Sequence, residues 1–302
     1  MDPLSEILSL LNARGTLSAQ LVAGGDWCIN SPAYEGVRFG ALVRGNCKLR
    51  PEGMPEFELN SGDCYLLTDG RPYTIGSDTA LPGVEMRDVL AQIVDGVAYC
   101  GSKADVLLLG GRFVFDTANA PLLLDALPPL IRIPAGTDAA NVQRWIMDRL
   151  ALELAQSTVG TWSMVEHLAH LMMVQILRQY LASDSAPVGW LAALQDSKLS
   201  KVLAQIHAAP MKRWSVEELA SIAGMSRSAF AARFSKLVGT SPFHYQLRWR
   251  MRLATLALQR TSVSVGAIAF AHGYESEAAF SNAFKRIVGQ SPRQFRSSQT
   301  TQ

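Results

Sequence analysis

The stretch FSKLVGTSP, residues 234–242, returns fifty positions later as FKRIVGQSP, residues 284–292. In each copy a run of helix-spaced apolar residues ends at Gly239 or Gly289, where a residue without Cβ takes the left-handed backbone that closes a helix. Ser241-Pro242 and Ser291-Pro292 follow: a side chain that accepts from the free amides of a new helix, then a ring preset for its first position. The duplication extends upstream. Val216 and Val265, Leu219 and Ile268, Ala220 and Ala269, and Gly224 and Gly273 pair at a separation of 49, while Phe230 and Phe280, and Phe234 and Phe284, pair at 50. Each copy therefore predicts a short helix (216–222, 265–271), a tight turn at Gly224 or Gly273, and a second helix (227–238, 277–288). Ser215 and Glu218 have the spacing of a capping box for the first short helix. Two helices joined this way form a helix-turn-helix, whose second helix fits a DNA major groove about 12 Å wide. The four phenylalanines are expected to plug the angle between the helices rather than to stack on bases.

Between the copies, PFHYQLRWRMRLATLALQR (242–260) reads as one helix. At ~1.5 Å per residue it spans about 27 Å, a strut able to hold two reading helices roughly one DNA turn (~34 Å) apart. The net charge of +2 conceals a segregation. Residues 1–196 carry 13 Lys+Arg against 22 Asp+Glu (13 − 22 = −9), and residues 197–302 carry 15 against 4 (15 − 4 = +11). A basic half also suits RNA or a membrane surface, and a helical protein-interaction domain would use the same turn chemistry. The combination of basic excess, duplication and strut length selects double-stranded DNA.

The run GMSRSAFAARFSKLVGTSPFHYQLRWRMRLA, followed by IAFAHGYESEAAFSNAFKRIVGQSPRQFR, resembles the two-motif signature of the AraC/XylS transcription regulators over about the last hundred residues. The resemblance implies that the first reading helix offers Arg227, Ser228, Ala231, Ala232 and Ser235 to DNA, and the second Glu277, Ala278, Ser281, Asn282 and Lys285. Helical spacing independently places 228, 231 and 235 on one face, and 277, 278, 281 and 285 on another. Asn282 suits adenine, Glu277 cytosine, and Ala231 or Ala232 a thymine methyl. Position 232 is Ala where the family often carries arginine, which shifts the first motif's weight toward Arg227 and phosphate contacts. Arg233, Lys236, Lys285 and Arg286 are expected to be backbone-positioning cations. Arg250 is expected to brace the motifs through an ion pair with Glu217 or Glu218.

In the front half, RFGALVRGNCKLR (38–50) alternates Phe39, Ala41, Val43, Cys47 and Leu49 with Arg38, Arg44, Asn46, Lys48 and Arg50, as a strand with one dry face does. EFEL, a turn at NSGD, CYLL and a break at DGRP add short strands, so the expectation is a small β barrel or jelly roll. GDCYLLTDGRPY is similar to the cupin-like sensor found ahead of this DNA-binding domain. Candidate ligand contacts are Phe39, Val43, Cys47, Cys64 and Tyr73, although plain core packing predicts the same residues. The first histidine is His167, beyond the barrel, so a metal-dependent cupin enzyme with a helical accessory domain, the contrasting hypothesis, lacks its ligands. No cofactor is expected. A thiol-based redox sensor is the second alternative. The opening DPLS and the GDW motif resemble a thiol-sensing member of the family, but its reactive positions fall near Leu21 and Val106, neither of them cysteine.

NVQRWIMDRLALELA and TWSMVEHLAHLMMVQILRQYLAS then predict two helices. The stripe Leu168, Leu171, Met172, Ile176 and Tyr180 serves equally for covering the barrel or for a homodimer interface. The start carries Asp2 and Glu6 where a secretory signal is positive, and no apolar run approaches the roughly 20 residues of a membrane span, so a cytoplasmic protein is expected. The fold class expected is α+β multidomain. A cupin-like barrel with a helical dimerisation element (about 138–182) occupies 1–185, a linker 186–196, and an all-α DNA-binding domain 197–302 with helix-turn-helix motifs at about 215–238 and 264–288. The expected partners are double-stranded DNA, a small-molecule effector, RNA polymerase and a second copy of the chain, with no membrane.

Overall fold

A computed structural model describes residues 3–5, 8, 14–115, 120–136, 140–156, 158–183 and 189–299. These divide into two compact units, a barrel unit within 13–115 and 127–185 and a helical unit within 1–12, 116–126 and 186–302. The boundary is thus not a single point in the chain, since 116–126 groups with the helical unit rather than with the expected 1–185 sensor.

The barrel unit consists of β1 (Arg14–Gly24), β2 (Cys28–Ser31), β3 (Val37–Arg44), β4 (Asn46–Pro51), β5 (Phe57–Asn60), β6 (Cys64–Leu67), β7 (Tyr73–Gly76), β8 (Val84–Glu85), β9 (Val97–Gly101), β10 (Val106–Val114) and β11 (Leu130–Ile133). They form a six-stranded sheet in the order β11-β6-β3-β10-β1-β9 and a five-stranded sheet in the order β5-β4-β7-β2-β8. Leu21, Leu42 and Leu108 from the first sheet and Ile29, Leu49, Leu59 and Ile75 from the second meet in one buried core. The expected single strand 38–50 is two strands, β3 and β4, in different sheets. Gly45 makes the corner at φ +87°, where a Cβ would lie 2.6 Å from the Asp105 carbonyl oxygen. The expected alternation also fails in β3, because Leu42 is fully buried and Val43 only half-buried. Both faces of β3 are covered: the core lies on one side, and the helices Ala140–Gln156 and Thr161–Ala182 pack against the six-stranded sheet on the other. Leu168, Met172, Ile176 and Tyr180 are buried in this packing, and of the expected stripe only Leu171 is exposed. The stripe therefore covers the barrel.

In the helical unit, the expected elements 216–222, 227–238, 265–271 and 277–288 are the helices Val216–Ile222, Arg227–Val238, Val265–Ala271 and Glu277–Val288, with the strut Pro242–Arg260 between the pairs. Ser215 and Glu218 close the capping box, and Ser226, Ser241, Ser264 and Ser276 each accept from the amide three residues on. Gly239 and Gly289 close their helices at φ +78° and +89°. Phe230, Phe234, Phe280 and Phe284 are fully buried. Of the expected linker, 186–188 lie outside the described residues, and Gly189–Gln195 is a helix with Trp190, Leu191 and Ala193 buried, packed against Arg227–Val238. Asp196 accepts from the Lys198 and Leu199 amides at 3.0 Å and from Arg233 Nε at 2.6 Å, tying the start of helix Leu199–Ala208 to the first reading helix. Burial opposes its ionisation, but these bonds together hold its carboxyl below the usual range. This segment is an anchored part of the helical unit because the chain supplies it with both apolar anchors and a cap.

Candidate DNA interface and sensor cavity

The turns at Gly224 and Gly273 set the helices Arg227–Val238 and Glu277–Val288 with their phenylalanines inward. The opposite faces carry the expected DNA contacts. Arg227, Ser228, Ala232, Ser235 and Lys236 are exposed and Ala231 half-buried; Ala278, Asn282, Lys285 and Arg286 are exposed, and Glu277 and Ser281 half-buried. Three of these groups already hold partners, Ser228 through its hydroxyl 3.5 Å from Ser226 Oγ. Arg227 Nη1 lies 2.8 Å from Glu217, and Glu277 Oε1 accepts from Arg293 at 3.1 Å. Asn282, Lys285 and Arg286 have no hydrogen-bond or ion-pair partner among the described residues, so their polar atoms remain available. Arg250 departs from expectation. Glu218 is engaged by Lys212 at 2.9 Å and by the Ser215 amide, Glu217 by Arg227, and Arg250 is buried with its Nε unbonded. Burial disfavours the Arg250 cation, while the nearby Tyr274 hydroxyl favours it. The expected brace is absent because both carboxylates are engaged within the first motif and its approach, Glu217 by Arg227 and Glu218 by Lys212 and the Ser215 amide.

The barrel unit encloses a cavity of about 390 Å³. Of the expected ligand contacts, Phe39 and Tyr73 line it. Val43, Cys47 and Cys64 do not. Cys47 is packed within the core, and Cys64 faces the covering helices, its Sγ 3.4 Å from Gln143 Nε2 and 3.3 Å from Met147 Sδ. The apolar wall comes instead from Leu21, Ile29, Met86, Val89 and Leu108, and two arginines, the half-buried Arg38 and the exposed Arg112, also line it. Arg38 Nη1 donates to Ser31 Oγ at 2.8 Å and Tyr73 Oη at 3.2 Å, and its guanidinium lies 4.6 Å from the Tyr34 ring centre. Burial raises the Tyr65 and Tyr34 hydroxyls above the ordinary phenol range, so both are neutral donors. Reading β3 alone places Arg38 on the wet face; its role becomes visible only when pairing brings Arg112 opposite it.

Burial pushes all four thiols up, Cys47 and Cys64 to about 12, the reverse of what a reactive thiolate requires. Among the described residues no group of three or more His, Cys, Asp or Glu side chains is placed to hold a metal ion, and no helix is long and apolar enough to cross a membrane.

A cavity-bearing double sheet and a duplicated helix-turn-helix with two exposed helices define a two-domain DNA-binding transcription regulator. The family comparisons agree. Residues 2–182 match the cupin family and residues 219–298 the helix-turn-helix domain family. A putative AraC-like transcription regulator of Streptomyces lividans is 42% identical over 298 residues, 98% of each chain. The transcriptional regulator AlkR of Acinetobacter baylyi is 29% identical over 310 residues, covering 98% of this chain and 99% of AlkR. Among solved structures, the DNA-binding domain of AdpA in complex with a target DNA is 30% identical, covers 34% of this chain and 92% of its own, and has a TM-score of 0.32. The chain belongs to the AraC-like transcription regulators.

Proposed function

We propose that the chain reads operator DNA by placing the helices Arg227–Val238 and Glu277–Val288 in successive major grooves, and that a small molecule held in the barrel cavity sets its activity. The observation that carries this reading is the duplicated motif with two exposed faces in the half of the chain that has a +11 charge balance. Arg227, Ser228, Ala231, Ala232 and Ser235 form the first contact set, and Glu277, Ala278, Ser281, Asn282 and Lys285 the second, with Lys236 and Arg286 on phosphates. Asn282 reads adenine. Glu277 must leave Arg293 before it can accept from cytosine. An effector acts through its different affinities for two states of the regulator. The protein works in the cytoplasm, with RNA polymerase as a further partner, and performs no catalysis. In this reading the sensor is the barrel unit within 13–115 and 127–185, and the DNA-binding domain is 197–302 together with the anchored helix Gly189–Gln195.

Substitution separates base reading from charge. For the full chain on an operator selected from random duplexes, Asn282→Ala should lower discrimination at one base pair by about 1–3 kcal/mol, with the salt slope unchanged. Lys285→Ala should weaken all sequences alike and reduce the slope of log K against log salt by about 1. An unaltered preference profile for Asn282→Ala would remove it from the reading set.

The chain also acts as a homodimer in this reading. With the stripe of Thr161–Ala182 turned inward, the two covering helices leave Trp145, Leu152, Trp162, Met164 and Leu171 exposed, a large apolar allotment for adjacent helices. A second copy supplying the same face would bury it by two-fold symmetry. Trp145→Glu combined with Leu152→Glu should convert the dimer to monomer in sedimentation at micromolar concentration; an unchanged sedimentation coefficient would rule this face out.

A further inference from the structure

The register of β3 against β10 creates an unusual ladder on the inner face of the six-stranded sheet. Leu42 pairs with Leu108, Gly40 with Gly110, and Arg38 with Arg112. Residues two apart on a strand share a face, so a leucine pair, a glycine pair and an arginine pair succeed one another toward the cavity. Each step has a physical consequence. The leucines are core. Gly40 is filled from the neighbouring strand, since a Cβ there would lie 2.3 Å from the Tyr65 ring. Gly110 is not filled: a Cβ there meets nothing within 4 Å, and its backbone has no left-handed strain. The cavity opens at this missing side chain.

The arginine pair then lines the cavity at its solvent-facing edge, Arg38 half-buried and Arg112 exposed. Like charges directly opposite on paired strands are destabilising. The described chain provides no carboxylate for either: Arg38 is half-buried and bonded only to the neutral Ser31 and Tyr73, and Arg112 has no hydrogen-bond or ion-pair partner. Beyond them the walls are apolar, with Leu21, Ile29, Met86, Val89 and Ala98. A volume of about 390 Å³ has room for on the order of ten heavy atoms, at the roughly 30 Å³ that one water-sized group occupies in a liquid.

We propose that the cavity takes a small amphiphilic carboxylate, its head between Arg38 and Arg112 and its apolar body against the Met86–Val89 wall. This rests on the effector reading above and gives the effector its chemical class. The two guanidinium forks match a planar carboxylate, and one bound between them offsets their mutual repulsion. A neutral apolar molecule of the same size would leave the arginine pair uncompensated, and a bare inorganic anion would leave the chamber empty.

The test is calorimetric titration of the full-length protein with sodium octanoate, sodium 3-phenylpropanoate, 1-octanol, octylammonium chloride and inorganic phosphate. At least one of the two carboxylates should bind, at least about tenfold more tightly than 1-octanol, octylammonium and phosphate. Arg112→Gln, whose side chain has no partner to lose, should weaken the carboxylate roughly ten- to hundredfold while leaving 1-octanol within about threefold. Gly110→Val places a β-compatible side chain in the open space and should abolish carboxylate binding with the circular dichroism spectrum unchanged. Binding of neither carboxylate, equal affinity for 1-octanol, or full carboxylate affinity in either variant would overturn the proposal. Retention of the same preparations on non-specific duplex in low salt reads the DNA side separately: loss of retention with carboxylate binding intact sinks the regulator mechanism and leaves the site standing.

Discussion

Phe284→Ala should unfold the second helix-turn-helix motif at temperatures where the native chain is intact. The ring is fully buried, 5.6 Å from Phe280 and 5.7 Å from Phe295 between centroids, in one cluster with Leu247, Met251 and Ile268. It therefore joins the strut, both helices of the motif and the final helix Pro292–Gln299. Truncating such a ring costs about 3–5 kcal/mol, the lost transfer energy plus the cavity left behind. Against a domain stability of roughly 5–15 kcal/mol this is a large fraction. The first thermal transition should fall by more than about 10 °C, and duplex retention should fall with it. Lys285→Ala, one residue away and exposed, should stay within about 0.5 kcal/mol of the parent in the same melt while weakening DNA binding. Parallel loss of stability in both variants, or in neither, would contradict the division of this helix into a packing face and a reading face.

The duplicated motif was legible because its signals are local. A serine before each helix and a glycine after it fix the ends through hydrogen bonds that reach only three or four residues, the serine oxygen accepting from a backbone amide and the glycine amide donating to a carbonyl, and Ser215, Ser241, Gly239 and Gly289 sit where those signals require. The sensor was legible only as a class. Alternation in 38–50 marks extended chain, but it does not show that Gly45 turns the backbone into a different sheet or that β3 is covered on both faces. The stripe 168–180 has the period of a buried helix face, and period alone does not say whether a barrel or a partner covers it. The Arg38–Arg112 pair depended on a register between strands distant in sequence, which is why Val43, Cys47 and Cys64 stood in the expected pocket and the two arginines did not. Arg250 failed for a related reason: the carboxylates offered to it had nearer partners, Lys212 and Arg227, once the first motif folded.

Mild acid should destabilise the helical unit through His207. The imidazole is buried, stacked at 3.8 Å and 5° on Trp249, with Nε2 2.9 Å from Tyr245 Oη, so it pins helix Leu199–Ala208 to the strut. Burial lowers its pKa from the ordinary 6.5 to about 3. A depressed histidine gives stability that is complete about one pH unit above 6.5, where neither state is protonated. Below that the unfolded chain takes up a proton that the native fold refuses, and stability drops by up to about 1.4 kcal/mol per pH unit until pH approaches 3. Asp196 and Glu218, held below their usual range, also lose stability in acid, but only below about pH 4.5, near and under the ordinary carboxylate pKa values. The interval from pH 6.5 to 5 therefore excludes these two carboxylates, and the loss through His207 across it is about 2 kcal/mol. His207→Phe keeps the aromatic stack and removes the titrating group. Its urea midpoint, followed by tryptophan fluorescence, should be nearly flat from pH 7 to 5 while that of the parent falls; equal slopes in the two proteins would show that the imidazole does not govern the acid limb.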